Sequence, residues 1–191
     1  MFVKICGLTT EASVVTAVEA GADAIGFVFA DSPRQIDIAT AQRLRRLIPN
    51  EVRVVGVFLD PTVEEVEAAV ACGLTDIQLH RRTRPLEAFR QFELPLIEAD
   101  HHQSEADIIL LDAPTPGSGQ ALDWETLERP ERTFWLAGGL TVDNVGAAIR
   151  AMRPDGVDVS SGVETNGQKD HDKIRAFIGH AKEETRCIHN Q

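Results

Sequence analysis

Gly156-Val-Asp-Val-Ser-Ser-Gly-Val-Glu164 is the stretch on which the reading of the fold turns. Gly156 to Val159 sets small or apolar residues around one charge, the pattern of a short buried strand. Ser160-Ser161-Gly162 then supplies two hydroxyls and a residue without a Cβ, so the backbone can approach a ligand closely. A strand ending this way can turn amides and hydroxyls toward a phosphate; an ordinary strand-to-loop exit is the alternative. Ala137-Gly138-Gly139-Leu140 is a second strand-to-glycine exit, about one β/α unit earlier. In eight-fold β/α barrels the loops after the last two strands often form the phosphate cup, so the two exits together favour a barrel.

Outward from this stretch, apolar runs alternate with helix-period segments along the whole chain. Strands are expected at Phe2–Cys6, Ala24–Phe29, Arg53–Leu59, Asp76–His80, Leu94–Glu98, Asp107–Leu111, Thr133–Ala137 and Gly156–Val159. Helices are expected at Thr10–Ala20, Ile38–Ile48, Val63–Ala71, Pro85–Phe92, Asp123–Leu127, Val142–Met152 and His171–Glu183. Only 99–106 remain between the fifth and sixth strands, so the fifth helix is reduced to a turn or two. Regular alternation predicts a parallel sheet, and eight units predict a closed (β/α)8 TIM barrel, read as one catalytic domain over 1–191. It is a minimal barrel, below the roughly 250 residues typical of the class. An open doubly wound sheet is the rival, weakened because no GxGxxG follows the first strand.

Of the 191 residues, 43% are hydrophobic and 26% charged, as in an ordinary globular protein. No apolar run approaches the roughly 20 residues that cross a bilayer, and no basic segment leads into an apolar stretch at the start. A cytoplasmic location is therefore expected. Cys6, Cys72 and Cys187 are widely spaced, with no CxxC pair, so neither a disulfide framework nor a zinc knuckle is indicated. The net charge of −11 argues against nucleic acid or an anionic membrane as partner. An anionic substrate must then meet local positive charge in the site itself.

Side chains alternate across a strand, which selects the residues facing the barrel interior. Val3 and Ile5 suit the helix side, sending Lys4 and Cys6 inward, with Cys6 at the C-terminal rim where barrel chemistry is done. A small buried core cysteine is the ordinary alternative. Lys4, two residues below, would favour a thiolate at Cys6, or be neutralised by Asp158 on the adjoining last strand. Arg34 falls in a rim loop, where its planar fork suits a carboxylate or phosphate, unless it is merely solvated. Gln78 and His80 point inward from the fourth strand, His80 as a substrate contact or a satisfied structural histidine. Arg81-Arg82-Thr83-Arg84 follows, a solvated helix start or a lure for anions. Asp112 ends the sixth strand, so it and Cys6 face each other across the mouth as an acid and a base; a turn residue before Pro114 is the alternative. Pro114-Thr-Pro-Gly-Ser-Gly-Gln120 then offers a candidate lid in Gly117, Ser118 and Gly119.

Lys4-Ile-Cys-Gly-Leu8, Gly26-Phe-Val-Phe-Ala with Ser32-Pro-Arg34, Gly56-Val-Phe58, Gln78-Leu-His80 and Leu110-Leu-Asp112 occur in order. Gly117-Ser-Gly119 with Asp123-Trp124, Ala137-Gly-Gly-Leu140 with Asn144-Val145, and Asp158-Val-Ser-Ser-Gly-Val-Glu164 with Lys169-Asp170 complete the series. Together, over almost the whole chain, they resemble the phosphoribosylanthranilate isomerase family of tryptophan biosynthesis. The resemblance implies a (β/α)8 barrel and an Amadori rearrangement of a phosphorylated aminosugar, with no metal and no organic cofactor. It implies Asp112 as general acid opening the ribose ring and Cys6 as general base at C2′. It implies Arg34 on the anthranilate carboxylate, and Gly138, Gly139, Ser160, Ser161 and Gly162 on the phosphate. His80 and Asp158 complete the expected substrate contacts, and other tryptophan-pathway enzymes are candidate partners.

The sequence departs from the family pattern in three places. Pro116 precedes Gly117-Ser118-Gly119, removing an amide donor from the sixth loop; Arg81 stands where a glycine is usual; and the fifth helix is nearly absent. A sugar-phosphate isomerase of histidine synthesis on the same scaffold is a rival, against which no second serine-glycine cup occurs at the half-way point. A non-catalytic barrel that binds a phosphorylated ligand is the other.

Overall fold

The computed structural model describes residues 1–99, 104–112, 124 and 127–189. Eight parallel strands pair in chain order and close on themselves. They are β1 (Phe2–Cys6), β2 (Ala24–Val28), β3 (Arg53–Leu59), β4 (Asp76–His80), β5 (Leu96–Ala99), β6 (Ile108–Leu111), β7 (Phe134–Leu136) and β8 (Gly156–Val159). The β8–β1 pairing, with Asp158 opposite Lys4, rules out the open sheet. The described helices are α1 (Glu11–Glu19), α2 (Ile38–Arg45), α3 (Val63–Val70), α4 (Glu87–Arg90), α5 (Val145–Met152) and α6 (His171–His189). Most of the segment expected as a helix at Asp123–Leu127 lies outside the described residues.

Local chemistry accounts for the helix starts. Thr10, Asp37 and Thr62 each accept a backbone N–H with the side chain, and at Thr62 the Glu65 carboxylate returns the bond in a full capping box. The α5 helix begins at Val145, later than the expected Val142, because Asn144 Oδ1 accepts the Thr141 N–H (2.7 Å) and holds Thr141–Asn144 in a turn. Where a full barrel would carry a fifth helix, Glu98 turns its buried carboxylate outward from β5. It meets Arg82 (Nε to Oε1 2.6 Å) and the Ser104 hydroxyl. Arg82 is thus a structural ion-pair partner, not a solvated charge.

Alternation along the strands separates two cores. Val3, Ile5, Phe27, Leu79, Phe134 and Val157 pack outward against the helices. Cys6, Ala24, Val55, Ile97, Leu110 and Trp135 pack inside the barrel. Each large side chain so buried contributes roughly 1.5–3 kcal/mol. The N-terminal end of the barrel is plugged. Phe2 and Trp135 stack at 4.7 Å, and Arg53, ion-paired with buried Asp76, lies over both rings. A ligand can therefore be received only at the other end.

Half-way up, fully buried Lys4 donates to Asp158 Oδ2 at 2.9 Å. Burial alone would lower the Lys4 pKa, but the Asp158 carboxylate outweighs it and the net shift is upward. Lys4→Met leaves that carboxylate unpaired and is expected to cost about 3–5 kcal/mol in urea unfolding. Lys4→Met/Asp158→Asn should recover most of the loss; a double variant no more stable than the single one would refute a pairing role.

Candidate active site

The C-terminal end of the barrel holds a cavity of ≈ 320 Å³. Its wall includes Cys6, Arg34, His80, Asp112, Gly138, Gly139, Asp158, Ser160, Ser161 and Gly162, which therefore come together in one place. The candidate lid residues Gly117, Ser118 and Gly119, with Pro116, lie outside the described residues.

On the β7–β8 side the backbone forms the wall. Gly138 and Gly139 both adopt left-handed φ (+73° and +70°), a double turn that side chains disfavour. Asn144 Nδ2 holds it by donating to the Gly139 carbonyl (2.9 Å). A Cβ on Gly162 would overlap the Leu140 carbonyl oxygen, so the two exits touch backbone to backbone. Ser160, Ser161 and Gly162 line the cavity beside them, where their amides and the Ser161 hydroxyl can turn toward an anion.

Cys6 ends β1 and is 7% exposed. Burial pushes its thiol pKa up; the Lys4 ammonium pulls the other way, Asp158 adds to the rise, and Lys169 opposes it. The expected ionising influence of Lys4 is thus present but outweighed, because the thiol is buried at the end of β1. Unliganded Cys6 is held as a thiol. Asp112 directly follows β6, three strands round the ring from β1, and lines the same cavity half-buried.

His80 is buried at the top of β4, and Gln78 Nε2 lies 2.8 Å from its Nε2. With the Gln78 amide donating, the ring proton falls on Nδ1, which is buried with no hydrogen-bond partner among the described residues. Burial, then the charges of Lys4 and Arg81, lower the His80 pKa to about 4. The ring is therefore a neutral donor at physiological pH.

Arg34 does not stand open. Its Nε and Nη2 donate to the two Glu164 oxygens, each at 2.7 Å. Lys169 Nζ joins the same carboxylate (2.7 Å) and donates to the Ser160 carbonyl (2.8 Å), while the Ser160 hydroxyl donates to the Cys6 carbonyl (3.2 Å). Burial would raise the Glu164 pKa, but hydrogen bonds from Arg34 and Lys169 lower it to about 2. Glu164 and Lys169 are the site residues missed by reading inward-facing strand positions. Asn166-Gly167 was the signal: both have positive φ in a tight turn, folding β9 (Glu164–Thr165) onto β10 (Gln168–Lys169).

Among the described residues no group of three or more His, Cys, Asp or Glu could hold a metal, and no helix is long and apolar enough to cross a membrane. Chemically, the cavity offers an anion cup, a thiol, a carboxyl, a neutral imidazole and an arginine around a space for one small molecule.

The model of the family "N-(5′phosphoribosyl)anthranilate (PRA) isomerase" matches residues 3–180. An N-(5′-phosphoribosyl)anthranilate isomerase of Streptococcus pneumoniae is 49% identical over 190 residues, covering 94% of this chain and 95% of that protein. One from Streptococcus mutans is 46% identical over 189 residues, covering 94% and 98%. Among solved structures, the Thermus thermophilus phosphoribosyl anthranilate isomerase superimposes with a TM-score of 0.85 at 33% identity, covering 96% of this chain and 99% of that one. A phosphoribosyl anthranilate isomerase in complex with reduced 1-(o-carboxyphenylamino)-1-deoxyribulose 5-phosphate superimposes with a TM-score of 0.79 at 34% identity, with the same coverage. A closed eight-strand barrel with this cavity, matched in sequence from residue 3 to residue 180, belongs to the N-(5′-phosphoribosyl)anthranilate isomerase family of tryptophan biosynthesis.

Proposed function

We propose that this enzyme converts N-(5-phosphoribosyl)anthranilate to 1-(2-carboxyphenylamino)-1-deoxyribulose 5-phosphate by an Amadori rearrangement, with Asp112 as general acid and Cys6 as general base. One observation carries the reading: a thiol from β1 and a carboxyl after β6 line the same cavity as the glycine and serine exits of β7 and β8. The phosphate sits on Gly138, Gly139, Ser160, Ser161 and Gly162. The Asp112 carboxyl gives its proton to the ribose ring oxygen as the C1′–O bond breaks, and the nitrogen lone pair forms the C1′=N iminium. Cys6 rests as a thiol, so it must first release its proton to solvent; the thiolate then takes the C2′ proton, and those electrons form C1′=C2′ as the iminium is neutralised. The resulting enolamine ketonises to the product. Neutral His80 and the buried Asp158 carboxylate serve as donor and acceptor to the sugar. The reaction would run in the cytoplasm, with other tryptophan-pathway enzymes as candidate partners.

Arg34 receives the anthranilate carboxylate on its Nη1–Nη2 edge, since Glu164 already takes the Nε side. Arg34→Ala is expected to raise KM about tenfold or more with a smaller change in kcat. Unchanged KM and kcat in steady-state assays would remove Arg34 from the site. The deciding experiment for the activity follows loss of freshly made phosphoribosylanthranilate with purified protein, against a Cys6→Ala control. Equal loss with both proteins would end this reading and favour a non-catalytic barrel.

A further inference from the structure

Arg81 holds the most demanding backbone position in the cavity wall for a residue with a long side chain. It directly follows β4, and its φ of +48° lies in the left-handed region, where a Cβ crowds the backbone. The bend is fixed from both sides. Asp60 N–H donates to the His80 carbonyl (2.9 Å), and Asp60 Oδ1 accepts from Thr83 N (2.7 Å) and Thr83 Oγ1 (2.8 Å). Arg82, the next residue, is tied to buried Glu98. An unfavourable conformation held this firmly in a cavity wall points to a use for the side chain.

The ring of strands says which end of a ligand Arg81 meets. β4 lies opposite β8, so Arg81 stands across the mouth from the glycine and serine exits. Arg34 follows β2, so the two arginines flank the top of β3. Between them Val57 and Leu59 line the cavity, Leu59 with 48% of its surface exposed. An apolar floor between two guanidinium groups suits a planar ring bearing a carboxylate, with its phosphate on the far side. Positive charge is needed there. The protein carries a net −11, so an anionic ring needs local positive charge to bind. Arg81 lines the cavity next to His80, whose pKa its charge helps to lower.

We propose that Arg81 is a second carboxylate-binding residue, meeting the carboxylated ring of the substrate across the Val57–Leu59 floor from Arg34, and that it sets the preference for a carboxylated ring. The proposal rests on the substrate assigned above. Arg81→Gly removes the charge and relieves the left-handed backbone together, so it should melt no lower than the parent. Its KM for phosphoribosylanthranilate is expected to rise roughly tenfold with kcat within about twofold, and Arg81→Gln should follow it. Two probes locate the contact: reduced 1-(o-carboxyphenylamino)-1-deoxyribulose 5-phosphate and the same compound without the carboxyl group. Arg81→Gly should bind the first roughly tenfold more weakly and the second as the parent does. Equal weakening for both probes, or an unchanged KM in an active parent background, overturns the Arg81 assignment alone. A parent protein that neither turns over phosphoribosylanthranilate nor binds the reduced probe overturns the substrate reading, and this proposal with it.

Discussion

Cys6→Ala is expected to lower kcat by at least about 100-fold while the barrel stays folded. The thiol lines the cavity at the end of β1, and its removal deletes the only proposed acceptor for the C2′ proton. The side chain is small and its loss leaves the Lys4–Asp158 pair beneath it unchanged, so the fold should tolerate it. Kinetics beside a circular-dichroism melt separate the two effects; a variant that keeps most of its kcat would take the base role from Cys6. The resting state is testable too. Because burial raises the Cys6 pKa, the thiol keeps its proton beyond the ordinary thiol range, and thiolate forms only as pH rises past it. In a Cys72→Ala/Cys187→Ser background, ultraviolet titration should show thiolate appearing above that range. Thiolate already formed at neutral pH would mean that the lysines, not burial, govern the group.

Asp112→Asn is the second variant expected to lose at least about 100-fold in kcat. An amide keeps the size and hydrogen-bonding reach of the carboxyl but has no proton to give the ring oxygen. The loss should therefore fall on kcat and kcat/KM together, with little change in binding of the reduced product analogue. A variant that binds the analogue far more weakly at nearly normal kcat would make Asp112 a binding residue instead. In Cys6→Ala/Asp112→Asn the losses should not multiply, because the two groups act on successive steps and the slower step sets the rate.

How much of this was legible before folding depends on the range of the interaction. The bounds of β1, β3, β4 and β8 follow from apolar runs and their flanking residues, and the structure agrees with each. β5 starts later than its apolar run suggests, at Leu96 rather than Leu94. Pro95 has no N–H for the ladder and contributes only its carbonyl, to Ile77 (3.0 Å). Strand alternation brought Cys6, His80 and Asp112 to the rim, where they line one cavity. It could not find Glu164 and Lys169, which stand behind the wall on a short hairpin after β8 and hold Arg34 and Ser160 there.

Period-two patterning, helix caps and the order of eight β/α units act between near neighbours, so the amino-acid sequence by itself determined the barrel and the rim positions. Arg34 and Glu164 stand 130 residues apart, Lys4 and Asp158 154 apart, and both pairs exist only because β8 closes onto β1. The protonation of Cys6 depends likewise on whether desolvation outweighs nearby lysines, and a side chain is not buried until the chain folds. Strand adjacency already offered the Lys4–Asp158 pair; that Arg34 is spent on Glu164 was decided by the tertiary structure.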